Sequence, residues 1–245
     1  MQEKTYAERI IETAEDFQKE LDDKKDKKDR FLSWVHCYRR FSEIFKKPNL
    51  TEENIDYLAL NLAFYLASWG MYRGSSFLLQ KDYTIHKDIV KELYEFKFLQ
   101  GISCYSLENE LETGLVQIVK KINNNYLRSY QEFVKEKKGD KQIPKKISNT
   151  LITKILMGTL GCTPAYDRYF VAGIKSYDCI TNRSFNEKSL KELIDFYKDN
   201  NDELEKFRAE NSNRYQIDYP QMKLLDLIFW KAGYDIEDEK RKSHR

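Results

Sequence analysis

The chain has 245 residues, with 42 Lys or Arg against 40 Asp or Glu, a formal net charge of +2. That balance excludes a histone-like polycation and leaves nucleic-acid binding to a local basic face. Only 9 Gly and 4 Pro are present, too few for the turns of an all-β sandwich, whereas abundant Lys, Glu and Leu point to helices.

Residues 3–21 place Tyr6, Ile10, Ala14, Phe17 and Leu21 on one helical stripe. The mixed-sign run DDKKDKKDR follows, a solvated helix end or loop. A second amphipathic segment carries Phe31, Trp34, Val35, Tyr38, Phe41 and Phe45 at helical spacing. Pro48 stops it, and Thr51 is placed as the next N-cap, with Leu50 and Ile55 as its hydrophobic staple. The stretch 58–71, LALNLAFYLASWGM, is apolar nearly all round. It is shorter than the ~20 residues a membrane span needs and predicts a central buried helix. It ends at WGMYRGSS, where Gly70 and Gly74 weaken a helix.

Residues 84–135 predict two or three more helices, broken near Gly101 and Gly114. From Lys135 to Asn149 six Lys face one Glu and one Asp, a local charge of +4 in a loop containing Gly139 and Pro144. A helix over 150–160 then ends at Gly161. Ser184 and Glu187 have the spacing of a capping box for a helix reaching about 198. A polar stretch runs to Asn213, and the last helix starts at Pro220 and stops at Gly233, leaving a frayed charged tail.

Cys37, Cys104, Cys162 and Cys179 form no CxxC and fit no zinc or iron–sulfur spacing. They are expected as reduced thiols of a cytoplasmic protein, since the charged N-terminus excludes a signal peptide. His36 beside Cys37 is a poor dyad, because helical neighbours point about 100° apart. There is no GxGxxG, P-loop, GxSxG or HExxH. The expected fold is all-α, a compact globular unit of roughly nine to eleven helices. Two lobes, 1–134 and 145–245, joined by the Lys-rich loop 135–146, are the alternative, with a cleft between them.

The segment most informative for chemistry is 147–177. Pro164 and the residues after it leave Asp167 aimed by a turn at a helix start, where the dipole favours an ionised carboxylate. A plain helix cap is the competing role for Asp167. The sequence TKILMGTLGCTPAYDRYFVAGI resembles the catalytic segment of the helix-hairpin-helix DNA glycosylase superfamily. Its P-V-D-x-x-V pattern is matched here by Pro164, Asp167 and Phe170, over about 30 residues. The resemblance implies a DNA-glycosylase-like fold and base flipping, with no cofactor. Asp167 would be the catalytic carboxylate, stabilising an oxocarbenium-like sugar as a base leaves.

A base pocket is then expected from Trp69, Tyr72, Arg73 and Tyr166, which supply rings and a cation. DNA contacts are expected from Lys145, Lys146, Ser148, Lys154 and Arg168. The chain departs from the family where its hairpin glycines would stand, reading Pro144-Lys145-Lys146-Ile147-Ser148-Asn149 instead. The position of a Schiff-base lysine falls at Thr150 or Leu151, so the resemblance implies a monofunctional enzyme. The iron–sulfur cysteines are missing as well. The expectation is a monomer acting on damaged or modified DNA, phage DNA in a defence role included, with no membrane. A non-catalytic nucleic-acid-binding protein and a helical protein-interaction factor are the alternatives.

Overall fold

A computed structural model of the chain describes residues 4–23, 29–138, 143–178 and 180–243. The fold is all-α, with no strand among the described residues. The helices are α1 (Tyr6–Asp23), α2 (Leu32–Phe45), α3 (Glu52–Ser68), α4 (Lys87–Glu95), α5 (Cys104–Leu107) and α6 (Val116–Lys138). They continue as α7 (Asn149–Thr159), α8 (Arg168–Lys175), α9 (Glu187–Asp199), α10 (Asn201–Tyr215) and α11 (Gln221–Ser243). The centre of the Lys/Asp run, part of the Lys-rich loop (139–142), Cys179 and His244 lie outside the described residues. No helix among the described residues is long and apolar enough to cross a membrane.

The chain divides into two units, one holding α1, α5 and α8 to α11, the other α2 to α4, α6 and α7. The division therefore does not fall at the Lys-rich loop. Residues 151–159 of α7 are all buried, so this helix needs neighbours on every side. It finds them in α2 and α3, from the earlier part of the chain.

In the unit of α2, α3 and α7, Trp34 Nε1 donates to the Met157 carbonyl at 2.9 Å. Gly158 lets the Tyr65 ring approach so closely that a Cβ would lie 2.3 Å from Cε1. Thr51 caps α3 as expected, accepting from the Asn54 amide at 3.2 Å. The expectation that α3 is surrounded by protein is corrected. Leu58, Leu62 and Leu66 are buried, but Tyr57 (43%), Leu60 (51%) and Phe64 (63%) form an exposed stripe. Apolar residues all round a helix do not force burial all round when few helices are available to cover it. Gly101, at φ +63°, breaks the chain as expected, whereas Gly114 lies within a π turn, Leu111–Leu115, that leads directly into α6.

In the other unit α8 and α11 make the most extensive contact of any two elements. Their backbones touch: a Cβ on Gly173 would stand 1.8 Å from the Phe229 carbonyl oxygen, and one on Gly233 1.8 Å from that of Tyr169. Gly233 therefore serves helix crossing and does not end α11. The helix runs on to Ser243, braced by the ion pairs Lys231–Asp235, Lys240–Glu237 and Lys242–Asp238. The polar stretch before it is also helical, α10, closed by Gln216 in the left-handed region at φ +51°. The capping box at Ser184 does not form. Asn186 caps α9 instead, accepting from the Ser189 amide at 3.0 Å, and Asn is as good a cap as Ser.

Candidate functional site

The segment 162–166 is buried throughout, and Asp167 beyond it is half-buried. Its shape is held from α11. The Ala165 amide donates to Asp226 Oδ1 at 2.9 Å, and Lys223 Nζ donates to Asp226 Oδ2 at 2.7 Å. Asp226 is 4% exposed and Lys223 8%, so this ion pair lies in the core. Burial pushes the Asp226 carboxyl up against the pull of Lys223, and the nearby Asp167 charge adds to the rise. The Asp167 amide then closes a tight turn onto the Ala165 carbonyl at 2.7 Å. Asp167 opens α8 as expected, its Oδ1 accepting from the Tyr169 and Phe170 amides at 3.0 and 3.1 Å.

Several expected roles change. Tyr166 belongs to no base pocket: it is 5% exposed, bonded through Oη to Ser189 Oγ at 2.7 Å and packed on Phe170 and Phe185. Apolar neighbours on both sides of the turn claim the ring for the core. Lys154 is no surface DNA contact. It is 5% exposed, and its Nζ donates to the Trp69 carbonyl at 3.0 Å. Trp69 is the C-cap of α3, so the ammonium sits on the negative end of that helix. Ser148 caps α7, accepting from the Leu151 amide at 3.2 Å, and Lys145 and Lys146 are exposed.

In the unit of α2 to α4, Trp69 is half-buried, donating through Nε1 to Ser33 Oγ at 3.1 Å. The Arg30 guanidinium lies 5.5 Å from its ring centroid. Arg73 is exposed and folds back over Gly70, where a Cβ would come within 2.9 Å of Nε. Gly70 adopts φ +76°, so its backbone favours glycine, whereas the exposed arginine can swing away from a Cβ. Tyr72 Oη meets His86 Nε2 at 2.6 Å, and the Tyr126 hydroxyl bonds His86 Nδ1.

His86 is fully buried, and burial pushes its imidazole down to about 3. Burial, then the Asp82 charge, pushes the Tyr72 phenol up to about 12. The unfolded chain, with a His near ~6.5, binds a proton between pH about 6.5 and about 3 that the folded chain refuses. Stability therefore falls as pH drops from about 6.5 toward 3, by about 2 kcal/mol between pH 7 and 5. Urea melts at the two pH values should show this loss, and His86→Gln, which keeps a donor and an acceptor, should remove most of the difference.

Sequence reasoning missed Lys223 and Asp226, although two charges three apart inside the apolar run QMKLLDLIFW were the signal for a buried pair. It also missed Tyr169. Its hydroxyl accepts from Arg168 Nη2 at 2.5 Å and from Arg241 Nη2 at 2.8 Å. Burial raises this phenol, but the two guanidiniums outweigh it and hold the group below its usual value. Cys37, Cys104 and Cys162 are buried. Burial pushes the Cys104 and Cys162 thiols up to about 12 and Cys37 higher still, which makes all three unreactive. His36 is exposed while Cys37 is buried, so no dyad forms. Among the described residues no His, Cys, Asp and Glu side chains gather into a group able to hold a metal ion. Comparison with protein-family models, with curated proteins and with solved structures finds no match to this chain.

Proposed function

We propose that the protein is a monofunctional DNA glycosylase-like enzyme that flips out a damaged or modified base and hydrolyses its N-glycosidic bond. The observation that carries this reading is Asp167, a half-buried carboxylate fixed at the N-terminus of α8 by a turn whose own amide is held from the core. A carboxylate immobilised in this way is suited to oppose the positive charge that builds on deoxyribose as the C1′–N bond breaks. The base departs with the bonding electrons, and water adds at C1′, giving up a proton to the carboxylate. The resemblance of the 153–174 segment to helix-hairpin-helix glycosylases supports the same residue. Exposed Arg168, Lys145 and Lys146 supply cations for the DNA backbone.

Asp167→Asn tests the assignment, because Asn caps a helix as well as Asp does and the fold should be kept. Base release, read as strand breaks after mild alkali on genomic and modified phage DNA, should fall at least about 100-fold with DNA binding retained. Equal release by variant and wild type would remove Asp167 from the chemistry. Binding without release by either protein would make the chain a nucleic-acid-binding protein with Asp167 as a cap.

A further inference from the structure

Two arginines from different helices converge on one phenolic oxygen. Arg168, the first residue of α8, and Arg241, near the end of α11, both reach Tyr169 Oη within 3 Å. Neither has a carboxylate oxygen within 4 Å among the described residues, and nor does Lys175 at the far end of α8, although the Asp238 charge, shared with Lys242, acts on Arg241 from further away. Like charges brought together on a neutral oxygen repel one another, and a bound anion relieves that repulsion.

An open groove of about 540 Å³ runs beside them between α8 and α11. It is lined by the apolar Val171, Ala172 and Ile236, by the cationic Arg168, Lys175 and Lys240, and by Ser176 and Glu237. Lys240 shares its charge with Glu237 at 3.1 Å. Arg168 and Lys175 stand at opposite ends of α8, about 10 Å apart along the helix axis. One phosphate cannot reach both, whereas consecutive phosphates of one strand can. Tyr234, 36% exposed, extends the cluster with a ring 5.3 Å from that of Tyr169, and aromatic side chains among cations are what unstacked bases pack against.

We propose that this groove binds the phosphodiester backbone of a nucleic acid, with Arg168, Arg241 and Lys240 holding one phosphate at the start of α8 and Lys175 a later one at its far end. The groove rests on the reading of the chain as a protein that acts on DNA, and it adds the strand path, along the helix that Asp167 opens.

The test is binding of fluorescein-labelled single-stranded and duplex oligonucleotides by the full chain across a salt series. The double variant Lys175→Gln/Arg241→Gln should weaken binding at least about tenfold and lower the log–log salt slope by about 1.5 to 2. The charge-keeping Lys175→Arg/Arg241→Lys should retain most of the affinity, and melting followed by circular dichroism should show both variants folded. Unchanged affinity and slope in the Gln variant would overturn the proposal, as would a wild type that binds neither probe. Two competitors separate the sources of phosphate. Millimolar inorganic phosphate that displaces the oligonucleotide completely would overturn an extended strand site, and so would tighter charge-dependent binding to phosphatidylserine vesicles. Base release is scored separately. Groove-dependent binding without release keeps the groove and removes the glycosylase, while release with groove-independent binding does the reverse.

Discussion

Gly173→Ala should lower the melting temperature by about 6–12 °C, a loss of about 3 kcal/mol or more. The new methyl carbon would stand 1.8 Å from the Phe229 carbonyl oxygen, 2.7 Å from its carbon and 3.1 Å from its Cα. All three are backbone atoms in the middle of α11, so no rotamer change can make room, and the two helices must separate. Separation loosens the Phe170–Phe229 and Tyr169–Trp230 ring contacts, with centroids 6.1 and 5.7 Å apart. Gly233→Ala attacks the same crossing from the other side, against the Tyr169 carbonyl oxygen. The two substitutions should therefore not be additive. Gly74→Ala is the contrasting case. A Cβ there meets nothing within 4 Å, and only the left-handed φ of +58° resists it, at a cost of about 1 kcal/mol. Thermal melts of the three variants check this. A Gly173 variant no less stable than the Gly74 variant would mean that α8 and α11 do not cross through their backbones.

That crossing also marks the limit of what the sequence discloses. Local signals were legible where one side chain and one amide decide the outcome: Thr51 and Asp167 each cap the helix that follows. Gly161, at φ +64°, follows α7 as expected. Signals that depend on distant neighbours were not legible. Gly233 has the same local look as a helix-ending glycine, and only the approach of α8 gives it its role. Lys154 looks like a cation open to DNA until the C-terminal end of α3 is known to lie against it. Tyr166 stands next to the candidate carboxylate in sequence, yet α9 supplies Ser189 and so draws the phenol inward. The same applies to the groove: Arg168 and Arg241 are 73 positions apart in the sequence, and only the fold sets them on one oxygen. Of the candidate site, Asp167 and its helix were readable, and the clamp that fixes its turn was not.

That clamp gives the second large effect. Lys223→Met should destabilise the protein by about 3–5 kcal/mol at pH 7, because it leaves the buried Asp226 carboxylate with no counter-ion. The loss should depend on pH in a defined direction. Removing the ammonium raises the Asp226 carboxyl, already raised in the folded chain, further above its value of ~3.8–3.9 in the unfolded chain. A carboxyl raised in the folded state costs stability as pH climbs from the unfolded value through the folded one. The deficit against wild type should therefore be largest at pH 7 and shrink toward pH 4. Urea melts of both proteins across that range measure it, and a deficit independent of pH would mean that the pair is not charged. Adding Asp226→Asn should recover most of the loss, since its side-chain oxygen still accepts the Ala165 amide and no charge is left buried. This double variant also separates stability from positioning. The Ala165 bond, two residues before Asp167, is kept in it and broken in Asp226→Leu. If the clamp aims the carboxylate, base release should survive in Lys223→Met/Asp226→Asn and collapse in Lys223→Met/Asp226→Leu, each assayed below its own melting temperature.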